Sequence, residues 1–236
     1  MDVIPPVDHE VELRPPQVTT STRLRVWPAT GASRSTAVLL APGARSNYDE
    51  PVLSKLARGL SARGVVVGTF DFAYRHAGRR LPDRRDRLER AFHDVLSAFR
   101  SVSGVRRHVL GGRSLGGRIA SHLVAASTGD GVLALAYPLH PGGRSDPRRT
   151  AHWPDITAPV LFVHGDRDPL CPVDALAAAC AAHLRSAAGT VHVVAGADHG
   201  FALRARDPRT SADVERELVT CVEGWIAGTF EEDGHG

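Results

Sequence analysis

The stretch "VLGGRSLGGR", residues 109–118, places Ser114 between two pairs of glycines directly after an apolar run. Its centre, Gly112 to Gly116, fits the pattern Gly-x-Ser-x-Gly, in which a serine stands on a sharp turn between a strand and a helix. Glycines at the flanking positions let neighbouring backbone approach closely, and the helix N-terminus favours negative charge beside the serine. The same letters also suit a helix-capping serine in a glycine-rich turn. The position of the motif among the other elements therefore decides between these two interpretations.

Apolar runs and segments of helical spacing alternate along most of the chain. We predict strands over residues 9–14, 22–27, 36–41, 65–70, 107–112, 131–137, 159–165 and 190–196. We predict helices over residues 50–62, 83–101, 115–127, 173–187 and 210–228. Near-continuous apolar strands separated by helices indicate a parallel sheet covered on both faces, and the alternating early strands indicate an antiparallel beginning.

These elements predict an α/β fold with an eight-stranded, mostly parallel sheet and helices on both faces. We expect a single domain over residues 1–236, of which residues 1–16 form an extended N-terminal arm. Only residues 138–157 form a long irregular connection, so we expect no large lid. In such sheets the functional site lies at the carboxyl ends of the strands. The motif around Ser114 falls at one of these ends.

The charge pattern argues against a nucleic-acid partner. The chain of 236 residues has a net charge of +3, its single lysine is Lys55, and acidic residues are interleaved among the arginines. A clustered basic surface, which nucleic-acid binding requires, is therefore not expected. The oligomeric state is left open by the sequence.

The N-terminus and the cysteines predict a cytoplasmic protein. The first residues, "MDVIPPVDHE", have neither the basic nor the apolar region of a signal peptide. No apolar run approaches the roughly 18 residues that a membrane span needs, so we expect no membrane association. The three cysteines are an odd number without close pair spacing, which argues against a disulfide framework.

A serine nucleophile needs a base, and His199 is the best placed of the twelve histidines. It follows the last predicted strand in "GADHGF", where a loop can reach the Ser114 turn. His164 ends one buried strand and His192 lies inside another, so we interpret both as core or supporting residues. The histidines on predicted helices, the edge strand or the tail are assigned to the surface: His9, His93, His122, His183 and His235.

The acid that orients the base should follow the preceding strand. "VLFVHGDRDPL" offers Asp166 and Asp168, and either could instead cap the next helix. We favour Asp168, because a side chain needs a few residues after the tight turn at Gly165 to reach across the strand ends. Asp198 is interpreted as a turn residue or as a supporting partner of the site. The order Ser114, Asp168, His199 along the chain is the order that a catalytic triad takes on a sheet of this kind.

Backbone donors for an oxyanion are expected from two places. One is the N–H of Leu115 at the start of the helix after Ser114. The other is the N–H of Ala44, in the loop "APGARSNYDEP" after the strand 36–41, where Gly43 allows close approach of the backbone.

Four further residues near the expected site can be assigned roles. Arg113 is predicted to form a salt bridge with Asp71, with binding of a substrate carboxylate as the alternative. Tyr137 and His140 follow a strand end and are predicted to line the substrate pocket. Cys171 has no base beside it in the sequence, and we interpret it as structural.

Four segments carry a family resemblance: "LLAPGARSNYDEP", "GGRSLGGR", "YPLHPGG" and "PVLFVHGDRDPLCP". They resemble the α/β-hydrolase superfamily over essentially the whole chain, and within it the dienelactone-hydrolase-like branch. The "GGRSLGGR" and "YPLH" stretches are most similar to the testis-expressed and KAT8 regulatory complex α/β-hydrolase-like domains. The resemblance implies Ser114, Asp168 and His199 as the triad and Ala44 and Leu115 as oxyanion donors. The loop begins Ala41-Pro42-Gly43 where many relatives have His-Gly, and a backbone donor does not require that histidine.

The combined prediction is a serine hydrolase that cleaves a small ester or thioester through an acyl-enzyme, with no metal or cofactor. Peptidase or acyltransferase chemistry on the same machinery stays open. The alternative from another class is a non-catalytic α/β-hydrolase-fold module used for binding or as a scaffold. A histidine far from Ser114 would favour that alternative.

Overall fold

The computed structural model describes residues 4–144, 146–185 and 189–231. Eight strands form one sheet: β1 (Val7–Glu12), β2 (Ser21–Trp27), β3 (Thr36–Ala41), β4 (Val67–Phe70), β5 (Arg107–Arg113), β6 (Gly131–Leu135), β7 (Val160–Gly165) and β8 (Gly189–Val194). Their order in the sheet is β1-β2-β4-β3-β5-β6-β7-β8. β2 pairs antiparallel with both β1 and β4, and every other neighbouring pair is parallel. The predicted α/β architecture, including its antiparallel beginning, is confirmed.

The helices cover both faces of the sheet. They are α1 (Pro51–Ser61), α2 (Ala73–His76), α3 (Arg85–Ser103), α4 (Leu115–Ala125), α5 (Val173–His183) and α6 (Ser211–Phe230). α1 packs against α6 on one face, and α3 packs against α4 on the other. Two apolar clusters fill the layers between helices and sheet, because the strands are apolar on both sides.

The central parallel strands end on the same side of the sheet. β3 and β5 pair in register so that Ala41 lies opposite Gly112, at the carboxyl end of both strands. β6 and β7 run parallel to them on the other side of β5. The loops that follow β3, β5, β6 and β7 therefore emerge together.

Several predicted boundaries move by a few residues. β1 begins and ends two residues earlier than the predicted strand, and it forms the sheet edge within the N-terminal arm. β6 ends at Leu135 because Ala136 adopts a φ of 49°, which stops an extended strand. α5 ends at His183, since Leu184 is extended. The short helix α2 was not predicted.

The connection 138–157 contains no separate domain among its described residues. It consists of turns and three short 3₁₀ segments, at Pro141–Gly143, Pro147–Arg149 and Trp153–Asp155. This agrees with the prediction that no large lid is present. Within the described ranges, no helix has the length and apolar character needed to cross a bilayer. The predictions for residues 1–3, for His235 and for helix residues 186–187 fall outside the described residues.

Candidate active site

Ser114 forms the turn between β5 and α4. Its backbone has φ 50° and ψ −108°, a conformation that residues with a side chain rarely adopt. The Ser114 N–H donates to the carbonyl of Leu135 at 2.8 Å, which holds the turn against the end of β6. Its side chain makes no capping hydrogen bond to the described backbone of α4. A strained, half-exposed serine without a capping role fits a nucleophile better than a helix cap.

The glycines on both sides of Ser114 are required by close backbone approach. A Cβ on Gly112 would lie 2.1 Å from the carbonyl oxygen of Ala41, and a Cβ on Gly116 would lie at the same distance from that oxygen. Gly112 also has a φ of 148°. The end of β3 thus passes so near the turn that any side chain at either position would collide with it.

Asp168 and His199 are joined by a short hydrogen bond. Oδ2 of Asp168 lies 2.7 Å from Nδ1 of His199, and the Asp168 side chain is fully buried. Its other oxygen, Oδ1, accepts the N–H of Leu170 at 2.8 Å, so the carboxylate is held in place from two sides. This contact places the Nδ1 proton towards the carboxylate and leaves Nε2 of the half-exposed imidazole as the acceptor.

Asp166 points elsewhere. Its Oδ1 accepts the N–H of Gly196 at 2.7 Å and links the turn after β7 to the turn after β8. The structure therefore gives the two aspartates different partners, and Asp168 is the one beside His199.

The loop that carries His199 is held by hydrogen bonds within it and by one from Arg113. Oδ1 of Asp198 accepts the N–H groups of Gly200 and Ala202 at 2.8 and 2.9 Å, which makes Asp198 the turn residue that the sequence predicted. Nη1 of Arg113 donates to the carbonyl of His199 at 3.4 Å. His199 is thereby tied to the residue that precedes Ser114.

The two expected oxyanion donors lie in the turn after β3 and at the start of α4. The Gly43 carbonyl accepts the N–H of Ser46 at 3.0 Å, so Ala44 occupies the centre of a turn. The Ala44 carbonyl is held by the hydroxyl of Tyr74 at 2.7 Å. Leu115 is the first residue of α4, where N–H groups have no partner within the helix. The N–H groups of Ala44 and Leu115 both lack an acceptor among the described residues.

The predicted salt bridge between Arg113 and Asp71 is wrong. The Arg113 guanidinium donates through Nε to the buried carboxylate of Glu50, while Oδ1 of Asp71 accepts the N–H of Tyr48 at 2.7 Å. The other oxygen of Glu50 accepts the N–H of Gly43 at 3.1 Å. Glu50 was missed because nothing in "NYDEP" separates it from its neighbour Asp49. Arg113 has its charge neutralised within the fold, which leaves it little capacity for a substrate carboxylate.

Tyr137 and His140 differ in burial: Tyr137 is fully buried, and His140 is partly exposed. Tyr137 lies in the core with no exposed surface, its hydroxyl donating to the carbonyl of Arg149 at 2.6 Å. Burial raises the pKa of Tyr137 to about 12. It contributes to packing against Trp153 instead of lining an open pocket. His140 is half-buried, and its backbone N–H donates to the Leu170 carbonyl at 2.7 Å, which keeps it near the Asp168 turn.

Two buried side chains, His164 and Cys171, pack beside the Asp168 turn. His164 is almost fully buried, contacts the carbonyl of Cys171 through Nε2 and lies 3.8 Å from Oδ2 of Asp168. Burial lowers the pKa of His164 and raises that of the Cys171 thiol to about 12, so both side chains stay neutral. This agrees with their interpretation as supporting and structural residues. His192 differs from its prediction: it is a third exposed and pairs with Glu217 of α6.

A cavity of about 200 Å³ opens beside the His199 loop, between α1 and α6. Its walls include Val52 and Leu56 from α1, Leu218 from α6, and Gly200 and Phe201, which directly follow His199. The cavity is small and mainly apolar, and its described lining includes neither Ser114 nor His199 itself.

The chain matches the alpha/beta hydrolase domain family over residues 34–227. It belongs to that family. Among solved structures, an alpha-beta serine hydrolase homologue from Coxiella burnetii superimposes with a TM-score of 0.74 at 18% identity, covering 92% of this chain and 97% of that one.

Two further solved structures share the fold. A serine hydrolase without a lid from Xanthomonas campestris has a TM-score of 0.71 at 19% identity, covering 95% of this chain and 98% of its own. Dienelactone hydrolase from Anabaena variabilis has a TM-score of 0.71 at 16% identity, with the same coverage. At these identities the likeness concerns the fold. The narrower resemblance to testis-expressed and KAT8 regulatory complex proteins stays a prediction.

Proposed function

We propose that this α/β-hydrolase family member is a serine hydrolase that cleaves a small ester or thioester through an acyl-enzyme. The observation that carries the proposal is the 2.7 Å contact between Asp168 and His199. The His199 carbonyl also accepts a hydrogen bond from Arg113, which directly precedes the strained Ser114. A scaffold has no need of a backbone strain at a serine or of a buried carboxylate that orients a histidine.

In the proposed reaction, Nε2 of His199 removes the hydroxyl proton as Oγ of Ser114 attacks the substrate carbonyl. Asp168 holds the imidazole in the required tautomer and stabilises its protonated form. The oxyanion of the tetrahedral intermediate is stabilised by the free N–H groups of Ala44 and Leu115. Leu115 lies at the N-terminus of α4, where the positive end of the helix dipole adds to this stabilisation. His199 then protonates the leaving alcohol or thiol. In a second cycle it activates the water that releases the acid and regenerates Ser114.

The absence of an inserted domain between described residues 138 and 157 supports a small substrate. Arg113, bound to Glu50, is proposed to position the turn, while His140 is retained as a candidate substrate contact. We also propose cytoplasmic action, which is supported by three free cysteines.

Labelling with a fluorophosphonate tests the proposal. We expect the wild-type protein to be labelled at Ser114 and to hydrolyse p-nitrophenyl acetate, and Ser114→Ala to lose both properties. Ser121 provides a matched control, because Ser121→Ala removes a buried hydroxyl elsewhere on α4, where it contacts His152. Failure of the folded wild-type protein to react with either reagent would favour the non-catalytic binding module.

A further inference from the structure

A surface cleft lined mainly by arginines lies beside the loop that follows β3. The interleaved charges of the sequence did not predict this local basic cluster. It has a volume of about 900 Å³ and is bounded by Arg45, Arg75, Arg79, Arg80 and Leu81. Leu81 is 76% exposed, so the cleft also presents an apolar surface. Clefts of this size hold small organic molecules in many proteins.

The positive charge of the cleft is only partly neutralised. Arg79 pairs with Asp83 at 3.0 Å. Arg75 donates to the carbonyls of Ser46 and Arg79 at 3.0 and 3.1 Å, and these acceptors fix its guanidinium without cancelling its charge.

Three of the four arginines that line the cleft have no counter-ion among the described residues. Among the residues that the structure describes, Arg45, Arg75 and Arg80 form no ion pair. The nearby carboxylate of Asp71 is directed at the N–H of Tyr48. Clustered guanidinium groups repel one another, so an anion with several charges would be stabilised between them.

The cleft adjoins the proposed catalytic machinery through two contacts. Arg45 directly follows Ala44, whose N–H is a proposed oxyanion donor. Tyr74 and Arg75 of α2 bind the carbonyls of Ala44 and Ser46, so the wall of the cleft and the oxyanion loop form one unit. A molecule bound at the arginines would lie next to the loop that receives the ester carbonyl.

We propose that the cleft binds a phosphate group, and that this group belongs to the ester or thioester substrate. The planar guanidinium groups of arginine match phosphate oxygens through paired hydrogen bonds. Leu81 would contact an apolar part of the same molecule. The assignment to the substrate rests on the proposed function, whereas the anion site itself does not.

Binding of inorganic pyrophosphate, measured by isothermal titration calorimetry, tests the anion site. We expect the wild-type protein and Ser114→Ala to bind it equally, and Arg45→Ala with Arg80→Ala to weaken binding about tenfold or more. Both substituted side chains are exposed, so the fold should persist. Arg100→Ala is the matched control, because Arg100 is exposed near the far end of α3 and the substitution removes the same charge.

Two results would overturn the anion site. One is the same pyrophosphate affinity in the double variant as in Arg100→Ala. The other is binding to vesicles of anionic phospholipid without binding to pyrophosphate, which would indicate a membrane-facing surface.

A matched pair of esters tests the link to the substrate. We expect kcat/KM for 1-acetylglycerol 3-phosphate to exceed that for 1-acetylglycerol about tenfold or more, and the double variant to lose this preference, mainly through KM. Arg100→Ala should retain the preference. Pyrophosphate binding with no preference between the esters would overturn the assignment to the substrate. Inactivity towards both esters and p-nitrophenyl acetate, with pyrophosphate still bound, would instead refute the proposed hydrolase function.

Discussion

Glu50 joins Arg113 to the oxyanion loop: one carboxylate oxygen accepts the Arg113 guanidinium, and the other accepts the N–H of Gly43 at 3.1 Å. Arg113 directly precedes Ser114, and Gly43 directly precedes Ala44. A single carboxylate, 5% exposed, therefore positions both the proposed nucleophile and a proposed oxyanion donor. Through Arg113 it also reaches the carbonyl of His199.

Replacing Glu50 should damage stability and activity together. Glu50→Gln keeps a hydrogen-bond acceptor but leaves the largely buried Arg113 without a counter-ion, and loss of one partner of a buried pair costs about 3 kcal/mol or more. We expect a loss of roughly that size in the free energy of unfolding in urea, with a lower kcat for p-nitrophenyl acetate. Glu215→Gln is the control, since its pair with Lys55 is exposed and worth at most about 1 kcal/mol. Equal stabilities of the two variants would contradict this role of Glu50.

Gly116→Ala should disrupt the Ser114 turn. The new Cβ would lie 2.1 Å from the Ala41 carbonyl oxygen. Ala41 is held by its pairing with Gly112 of β5, and Gly116 is held in the first turn of α4. We expect destabilisation by about 3 kcal/mol or more and loss of fluorophosphonate labelling. Gly224→Ala, in the middle of α6 with open space around its Cβ, should instead stabilise the protein by about 0.5–1 kcal/mol. Urea unfolding distinguishes these opposite signs.

Asp168 and Asp166 should differ in their effect on catalysis. Asp168→Asn leaves the shape of the site but allows the wrong tautomer of His199, and the comparable change in a serine protease lowers kcat about 10⁴-fold. We expect a decrease of about 10³-fold or more in kcat for p-nitrophenyl acetate. Asp166→Asn affects a turn contact with Gly196 and should lower kcat by less than about tenfold. A larger effect at Asp166 than at Asp168 would reverse the assignment of the acid.

Two stacked histidines should make stability depend on pH. His122 was predicted to lie on the surface, but its ring is half-buried and stacks on His152 with centroids 3.6 Å apart. Burial, followed by repulsion from His152 and from nearby arginines, lowers the pKa of His122 to about 3. Burial, together with nearby arginines, lowers the pKa of His152 to about 4. Both rings are therefore neutral in the folded protein above about pH 4, whereas the unfolded chain protonates them near 6.5.

The sign of the effect follows from this difference. As pH falls from about 6.5 to 4, His122 and His152 become protonated in the unfolded chain but stay neutral in the folded protein. The free energy of unfolding therefore decreases over this range. Urea unfolding over this range should show a shallower decrease in His122→Gln than in the wild type. His183→Gln changes an exposed histidine of α5 and serves as the control. Equal pH dependence in His122→Gln and the wild type would contradict the prediction.

The elements most visible in the sequence were those with a strong apolar pattern. The strand predicted over 36–41 has the bounds of β3, because every residue of β3 is buried and the run is bordered by Ser35 before it and by Pro42 and Gly43 after it. The end of β6 could not be predicted, since the positive φ of Ala136 depends on the bond from its N–H to Val163 in the next strand. Helix α2 is only one turn long, too short to show helical spacing.

The sequence by itself determined the fold class and the order Ser114, Asp168, His199, because glycine spacing and strand ends are local patterns. The tertiary structure decided which side chains meet. It paired Arg113 with Glu50, 63 residues away, and it placed Asp168 beside His199 and Asp166 beside Gly196. It also placed Tyr137 in the core. Such choices depend on the direction of each side chain where several strands end together, and periodicity along the chain does not contain that direction.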